Sequence, residues 1–463
     1  MLPGFPEDII LLILQDLPIE DILSLRRACK SLLEVTNLRS VWLHTVQKIV
    51  SMQPLPLDYQ RSLCAMSIEE LKQLALKEAH LNATWHLPDL TKRTIWEAEC
   101  PYKVEEIHLL PGGNWIIEVL EGGGWRLQLR RVSPSASNAP IEATISVAVP
   151  DDQDVESYLT YSEERQPILL VCPRDGDDTS AINVYSVNTV TPSLDLIVTI
   201  SPRYLSHIVS STMSGNLLAF LETDNSDATI LHVRILGSSQ SESTGIQIRN
   251  IPAGSSLDIG IVSAKRLILC DHSAIFLLHL PEMKPLPCGS PAEYEVFDAH
   301  ITRIYTFEGE SPSVMGSTLW PSVPDDGACL PLLIRTWDNI INGCSRVVHI
   351  LDLSQPDQPP EHFAVTLSET SAYVPYTMGI LRSVAWDEEC PGSEARPIYL
   401  TAFSPRRSIS GPWSVGDFKT GRLVIPTITP FYRMSFDEVS GRICFAGRGR
   451  LVVVDITSKD LLQ

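Results

Sequence analysis

The hydrophobic pattern of this 463-residue chain changes period once, near residue 91. That single change limits the fold more than any other feature. Before it, apolar residues recur at helical spacing. After it, short apolar or alternating runs bounded by Gly, Pro, Asn and Asp continue to the end, which is the pattern of strands. A chain written this way predicts an α portion followed by an all-β portion, not an alternation of the two.

In the later portion a two-strand unit recurs. A turn with Gly or a polar pair leads into an apolar strand, and a polar loop then leads into an alternating one. Gly112-Gly113-Asn114-Trp115 opens the unit that ends at Val132, and Ser214-Gly215-Asn216-Leu217 the unit ending at Leu236. Ala264-Lys265-Arg266 opens the one ending at Leu280, and Ser440-Gly441-Arg442 the one ending at Ile456. Less regular leads at 167–172 and 330–334 open units ending at Val187 and Leu353, and a weaker strand at 398–403 sits in the last long gap. About seven units of roughly 50 residues predict a β-propeller, in which radial packing covers faces that no single sheet can bury alone. The unit before Leu353 is long, and insertions are expected at 281–291 and 311–326. Trp337-Asp338 and Trp386-Asp387 close no unit and the Gly-His signal is absent, so the expectation is a divergent propeller outside the WD-repeat pattern. A pair of β-sandwiches is the alternative.

The helical front is the greasier part. Residues 5–42 hold 20 apolar side chains in 38 positions. A segment of roughly 40 residues buries too small a fraction of its surface to close a core alone. Pro6 and Pro18 mark two helix starts, each followed by a pair of acids (Glu7-Asp8 and Glu20-Asp21) that suits the positive end of the helix dipole. Ile9, Leu12, Ile13 and Asp16 share one helical face, while Ile10, Leu11, Leu14 and Leu17 fill much of the rest. A helix apolar nearly all round is buried on more than one side. Arg26, Arg27 and Lys30 mark the end of a second helix and the start of a third, toward Val35. Further on, Ser67-Ile68-Glu69-Glu70 is a capping-box sequence that predicts a helix reaching Trp85.

These opening residues resemble the F-box. The usual Leu-Pro pair appears as Phe5-Pro6, with Asp8 and Ile9 after it. The Ile-Leu-x-x-Leu step matches Ile13, Leu14 and Leu17. Asp21-Ile22-Leu23 supplies the acid with two apolar residues, Ala28-Cys29-Lys30 the Val-Cys-Lys/Arg step, and Trp42 the terminal tryptophan. The chain departs at Phe5, at Ala28 and at Leu32, where many members carry tryptophan. The expected plan is a three-helix F-box over 1–43, a helical linker over 44–90, and the propeller over 91–463. That plan is similar to fungal F-box proteins with unassigned C-terminal domains.

Charge and motifs exclude several classes. Formal net charge is −20, of which residues 1–95 contribute −1 and the remainder −19 (26 basic, 45 acidic). So negative a β portion repels phosphate backbones and anionic lipid, which argues against a nucleic-acid or membrane role. The ten cysteines form no C-x-x-C pair, which predicts reduced thiols and a cytoplasmic or nuclear protein. Gly411-Pro412-Trp413-Ser414-Val415-Gly416 has the wrong spacing for a nucleophile elbow, and no phosphate loop, dinucleotide fingerprint or H-E-x-x-H is present. Asp151-Asp152-Gln153-Asp154 and Asp175-Gly176-Asp177-Asp178 lack the spacing of a calcium loop. Catalytic, metal and cofactor residues are therefore expected to be none.

What the resemblance implies is a substrate-recognition subunit of a Skp–cullin–F-box ubiquitin ligase. The front would bind a Skp-family adaptor, and through it a cullin, while the propeller presents a protein target. The adaptor contacts it assigns are Phe5, Pro6, Ile9, Ile13, Leu14, Leu17, Ile22, Leu23, Cys29 and Trp42, some of which hold the helices to one another. A scaffold acting outside ubiquitination, or a propeller enzyme with an accessory helical region, are the alternatives.

Overall fold

The computed structural model describes residues 6–52, 63–85, 93–133, 141–147, 154–162, 166–174, 181–200, 207–223, 229–236, 244–249, 251, 257–263, 265–271, 274–282, 295–306, 332–340, 343–352, 361–369, 376–378, 382–386, 397–402, 405–407, 413–415, 419–424, 431–447 and 449–456. Five helices come first: α1 (Glu7–Asp16), α2 (Ile19–Ala28), α3 (Lys30–Thr36), α4 (Arg39–Met52) and α5 (Ile68–Thr84). Pro6 and Pro18 stand at the N-caps of α1 and α2, just outside the helices they open. Their carbonyls accept the first helical hydrogen bonds, from Ile9 and Ile10 and from Asp21 and Ile22. At the start of α5 the capping box forms in both directions: the Ser67 N–H donates to Glu70 Oε2 at 2.7 Å and the Glu70 N–H to Ser67 Oγ at 3.3 Å. Helix α4 runs through the expected boundary between 43 and 44, so the F-box and its linker share one continuous helix.

Among the described residues, every regular element after α5 is a strand. β1 (Arg93–Glu99) precedes a first sheet of β2 (Lys103–Leu109), β3 (Trp115–Glu121), β4 (Trp125–Arg131) and β5 (Ile141–Val147). A second sheet holds β6 (Asp154–Tyr161), β7 (Pro167–Arg174), β8 (Ile182–Asn188) and β9 (Ser193–Ile200). Next come β10 (His207–Ser214), β11 (Leu217–Thr223), β12 (Thr229–Ile235) and β13 (Thr244–Arg249), then β14 (Asp258–Ser263), β15 (Arg266–Cys270) and β16 (Ala274–His279). β17 (Glu295–Asp298) returns to pair in parallel with β13, and β18 (Ile301–Thr306) completes the sheet of β14 to β16. A fifth sheet contains β19 (Leu332–Ile340), β20 (Gly343–Asp352) and β21 (Glu361–Glu369). The sixth contains β22 (Tyr376–Met378), β23 (Arg382–Trp386) and β24 (Pro397–Ala402), joined past the short ribbon β25 (Pro405–Arg407) and β26 (Trp413–Val415) by β27 (Lys419–Val424). The last contains β28 (Phe431–Asp437), β29 (Arg442–Gly447) and β30 (Arg450–Asp455), and its fourth strand is β1.

Among the described residues this makes seven sheets of three to five strands and one two-stranded ribbon. Each large sheet is an antiparallel meander, apart from the added β17 and the closing β1. First strands of neighbouring sheets meet one another, β2 with β6 and with β28, and β6 with β10. Apolar clusters lie between sheets: first with second, second with third, third with fourth, sixth with last, and last with first. This is a propeller, and a sandwich pair does not describe it. Strand β3 shows why its sequence is so apolar. Ile117 and Val119 face the second blade while Ile116 and Leu120 face the last, so both sides of the strand are core.

The ring closes twice. β1 pairs along β30 from Arg93↔Asp455 to Glu99↔Arg450, tying the start of the β portion to its end. At the turn end of the same blade, Asp437 Oδ2 accepts from the Gly112 N–H at 2.8 Å, and Arg442 Nη1 donates to the Gly113 carbonyl at 2.9 Å and to Asn114 Oδ1 at 2.7 Å. Gly113 has φ +67°, and a Cβ there would stand 2.4 Å from Arg442 Cδ, so the seam admits only glycine. Of the expected insertions at 281–291 and 311–326, residues 283–291 and all of 311–326 lie outside the described residues.

Candidate adaptor-binding site

Helix α1 presents two different apolar sets. Ile10 and Leu14 point inward and pack with Ile22 of α2, Leu32 of α3 and Val41 of α4. Ile9, Leu12 and Ile13 point outward and stay 40%, 58% and 38% exposed. Their i, i+3, i+4 spacing places them in one stripe. Leu33 of α3 is also a large exposed aliphatic residue. Single exposed apolar residues are ordinary, but a contiguous stripe marks a contact surface.

The framework behind that stripe is rigid. Trp42 is buried, and its indole N–H donates to the Thr36 carbonyl at 2.8 Å, occupying an acceptor at the end of α3. The Arg26 guanidinium lies 5.3 Å from the Trp42 ring centre and donates to the Thr36 carbonyl and, at 2.9 Å, to Asn37 Oδ1. Lys48 of α4 donates to the Gln15 carbonyl near the end of α1. Arg39 donates to the carbonyls of Leu63, Cys64 and Met66, tying α4 to the turn before α5.

The ten residues assigned from the resemblance therefore divide. Leu14, Ile22 and Trp42 are buried inside the helical module and hold it together. Pro6, Ile9, Ile13 and Cys29 are exposed, Leu17 and Leu23 are partly buried, and Phe5 lies outside the described residues. Leu12 and Leu33 are exposed and were absent from that set; helical periodicity alone places Leu12 beside Ile9 and Ile13.

The ring also brings polar side chains of separate blades together. Near its centre Glu106 and His108 of β2 meet Ser157 of β6. His108 Nε2 lies 2.6 Å from Ser157 Oγ, while Glu106 Oε2 accepts from the Ser157 N–H at 2.7 Å and from its hydroxyl. The one hydroxyl proton goes to the carboxylate, so the histidine donates to Ser157 and does not deprotonate it. The trio stitches two blades together. Arg442 is held by Gly113, Asn114 and, at 3.4 Å, Asp455, which leaves it committed to the seam. Arg450 pairs with Glu97 at 3.1 Å. Trp115 and Trp125 are core between blades, not a recognition surface. No group of three or more metal-binding side chains converges among the described residues, and no helix there is long and apolar enough to cross a membrane.

Residues 2–44 match the F-box domain family. No curated protein matches the chain. Solved structures with a similar β portion include the WD40 domain of SCAP from fission yeast, at 8% identity, covering 78% of this chain and 84% of that one, with a TM-score of 0.41. The C-terminal WD40 domain of Sif2 is similar at 11% identity, covering 79% and 99%, with a TM-score of 0.42. A periplasmic gluconolactonase of Pseudomonas aeruginosa, PpgL, is similar at 15% identity, covering 70% and 88%, with a TM-score of 0.37. Likeness at that level adds nothing to the strand order, on which the fold rests.

Proposed function

We propose that this chain, an F-box domain carried on a β-propeller, is the substrate-recognition subunit of a Skp–cullin–F-box ubiquitin ligase. The observation that supports this most is the outward stripe of Ile9, Leu12 and Ile13 on a module that is otherwise well packed. In this reading the stripe takes a Skp-family adaptor, and the adaptor brings the cullin. The ring holds a protein target and raises the concentration of its lysines near a ubiquitin-charged enzyme, so the chain needs no catalytic group of its own. Helix α5 seats at the end of the ring bearing the β28–β29 turn, which leaves the opposite end, with the turn at Gly122, Gly123 and Gly124, for the target. The surplus of acid in the β portion favours a target with a basic surface and disfavours nucleic acid and anionic membrane. Cytoplasm or nucleus is the compartment this function requires.

The test is affinity capture from native cells with the proteasome inhibited, comparing the wild-type chain with Ile9→Asp/Leu12→Asp. The stripe is on the surface, so the variant folds. Two carboxylates placed against an apolar partner surface should lower adaptor affinity by about 100-fold or more. Wild-type chain that is folded yet captures no adaptor would rule the function out. Adaptor without cullin would point to a scaffold.

A further inference from the structure

One helix belongs to two cores. On one side of α5, Leu71, Leu74, Ala75 and Ala79 pack with Trp42 and Val46 of α4 and with Ile19 of α2. Further along, Leu81 and Trp85 are fully buried between the last two blades of the ring, against Val384, Leu400, Phe436 and Ile443. The Trp85 and Phe436 ring centres are 5.9 Å apart.

The polar part of this seat is more specific than the apolar part. Arg382, the first residue of β23, is 0% exposed. Its Nη2 donates to Glu78 Oε1 at 2.6 Å and also to Asn82 Oδ1, four residues on along α5. Its Nη1 donates to the Glu438 carbonyl in the last blade at 3.0 Å, and its guanidinium lies 5.9 Å from the Trp85 ring centre. One buried cation thus joins the sixth blade, the last blade and two successive turns of the helix. A guanidinium binds acceptors in fixed directions within one plane, so it orients its partners as well as attracting them. A buried ion pair contributes little net stability against an apolar replacement, which leaves specificity of arrangement as the role it fills here.

The geometry points to Arg382 as a positioning residue: through Glu78 and Asn82 it sets the angle between the helical dock and the ring, so that the two move as one body. The inference rests on reading the helices as an adaptor dock. It adds that the target is delivered at a fixed place, not on a tether.

Distance measurements test it in the full chain, with bioorthogonal spin labels at exposed Gln47 on α4 and Glu142 on β5. The wild-type chain should give one narrow distance distribution. Arg382→Met should give a distribution about twofold wider, and Arg382→Lys, which keeps the charge but loses the fork, an intermediate one. If Arg382→Met does not fold, Asn82→Ala decides, since it removes one contact and leaves no charge unpaired; broadening supports the role. A broad wild-type distribution, or an unchanged width in Arg382→Met and in Asn82→Ala, overturns it. Adaptor capture is read on the same samples. Narrow distances without captured adaptor sink the ligase reading and leave the coupling intact, whereas captured adaptor with broad wild-type distances sinks only the coupling.

Discussion

Helix α1 (EDIILLILQD) and strand β3 (WIIEVLE) are comparably apolar in sequence, and the fold treats them in opposite ways. β3 lies inside a closed ring, with a neighbouring blade on each side, and all of its apolar side chains are buried. α1 lies on a small bundle that offers cover on one side only. It buries Ile10 and Leu14 and leaves Ile9, Leu12 and Ile13 open. A ring supplies both walls of every blade from its own chain, whereas a short helical module runs out of chain before it runs out of grease. The same apolar density therefore means core in one region and an exposed stripe, the proposed docking surface, in the other.

One of the two largest effects should come where the two regions join. Glu78→Ala leaves Arg382 buried without its carboxylate and should cost about 3–5 kcal/mol in urea unfolding. The exposed pair Lys30–Glu34, 3.9 Å apart, is the control: Glu34→Ala should change stability by less than about 0.5 kcal/mol. Equal costs would mean the junction is no tighter than the surface.

Within the helical module, inward and outward residues should separate cleanly. Trp42→Ala should remove about 3–5 kcal/mol and weaken adaptor binding only by unfolding the module. Leu12→Ala should leave stability within about 0.5 kcal/mol and still lower adaptor affinity about tenfold. Unfolding curves and binding isotherms on the same preparations check both, and a destabilised Leu12→Ala would mean that the stripe is core after all.

Smaller effects sharpen the contrast further. Ser67→Ala removes one half of the capping box and should cost about 1 kcal/mol. Thiol labelling at pH 8 should reach Cys29 and Cys64 in the folded chain and spare Cys100, Cys172, Cys270 and Cys444 until unfolding. Burial pushes the Cys172 thiol up to about 12 and the Cys100 thiol up to about 11, from an ordinary 9.0. Unfolded thiols ionise first, so above pH 9 the unfolded chain binds fewer protons and stability falls as pH rises toward those values. Stability that instead rises over that alkaline range would contradict the burial of these two groups.

Much of this was legible because local chemistry decided it. The turns at Gly112-Gly113, Gly215-Asn216 and Ser440-Gly441, each followed by an apolar run, announced the second and third strands of their blades. The Ser67–Glu70 box announced α5, and the F-box pattern announced α1 to α3. Legibility failed wherever a contact joins residues far apart in sequence. Nothing near residue 295 shows that β17 crosses to the third blade, nor does any local signal pair β1 with β30. Arg442 is held by Gly113 and Asn114, more than 300 positions away.

The amino-acid sequence by itself determined the order of the parts, helices before strands, because periodicity and turn residues act within a few positions of themselves, and its opening pattern identified the F-box. Only the tertiary structure decided which apolar residues of α1 face out, how the ring shuts, and that Arg382 grips α5. The first depends on packing against α2 to α4, and the other two on desolvation and directional hydrogen bonds between segments hundreds of residues apart; none of these exists until the chain has folded.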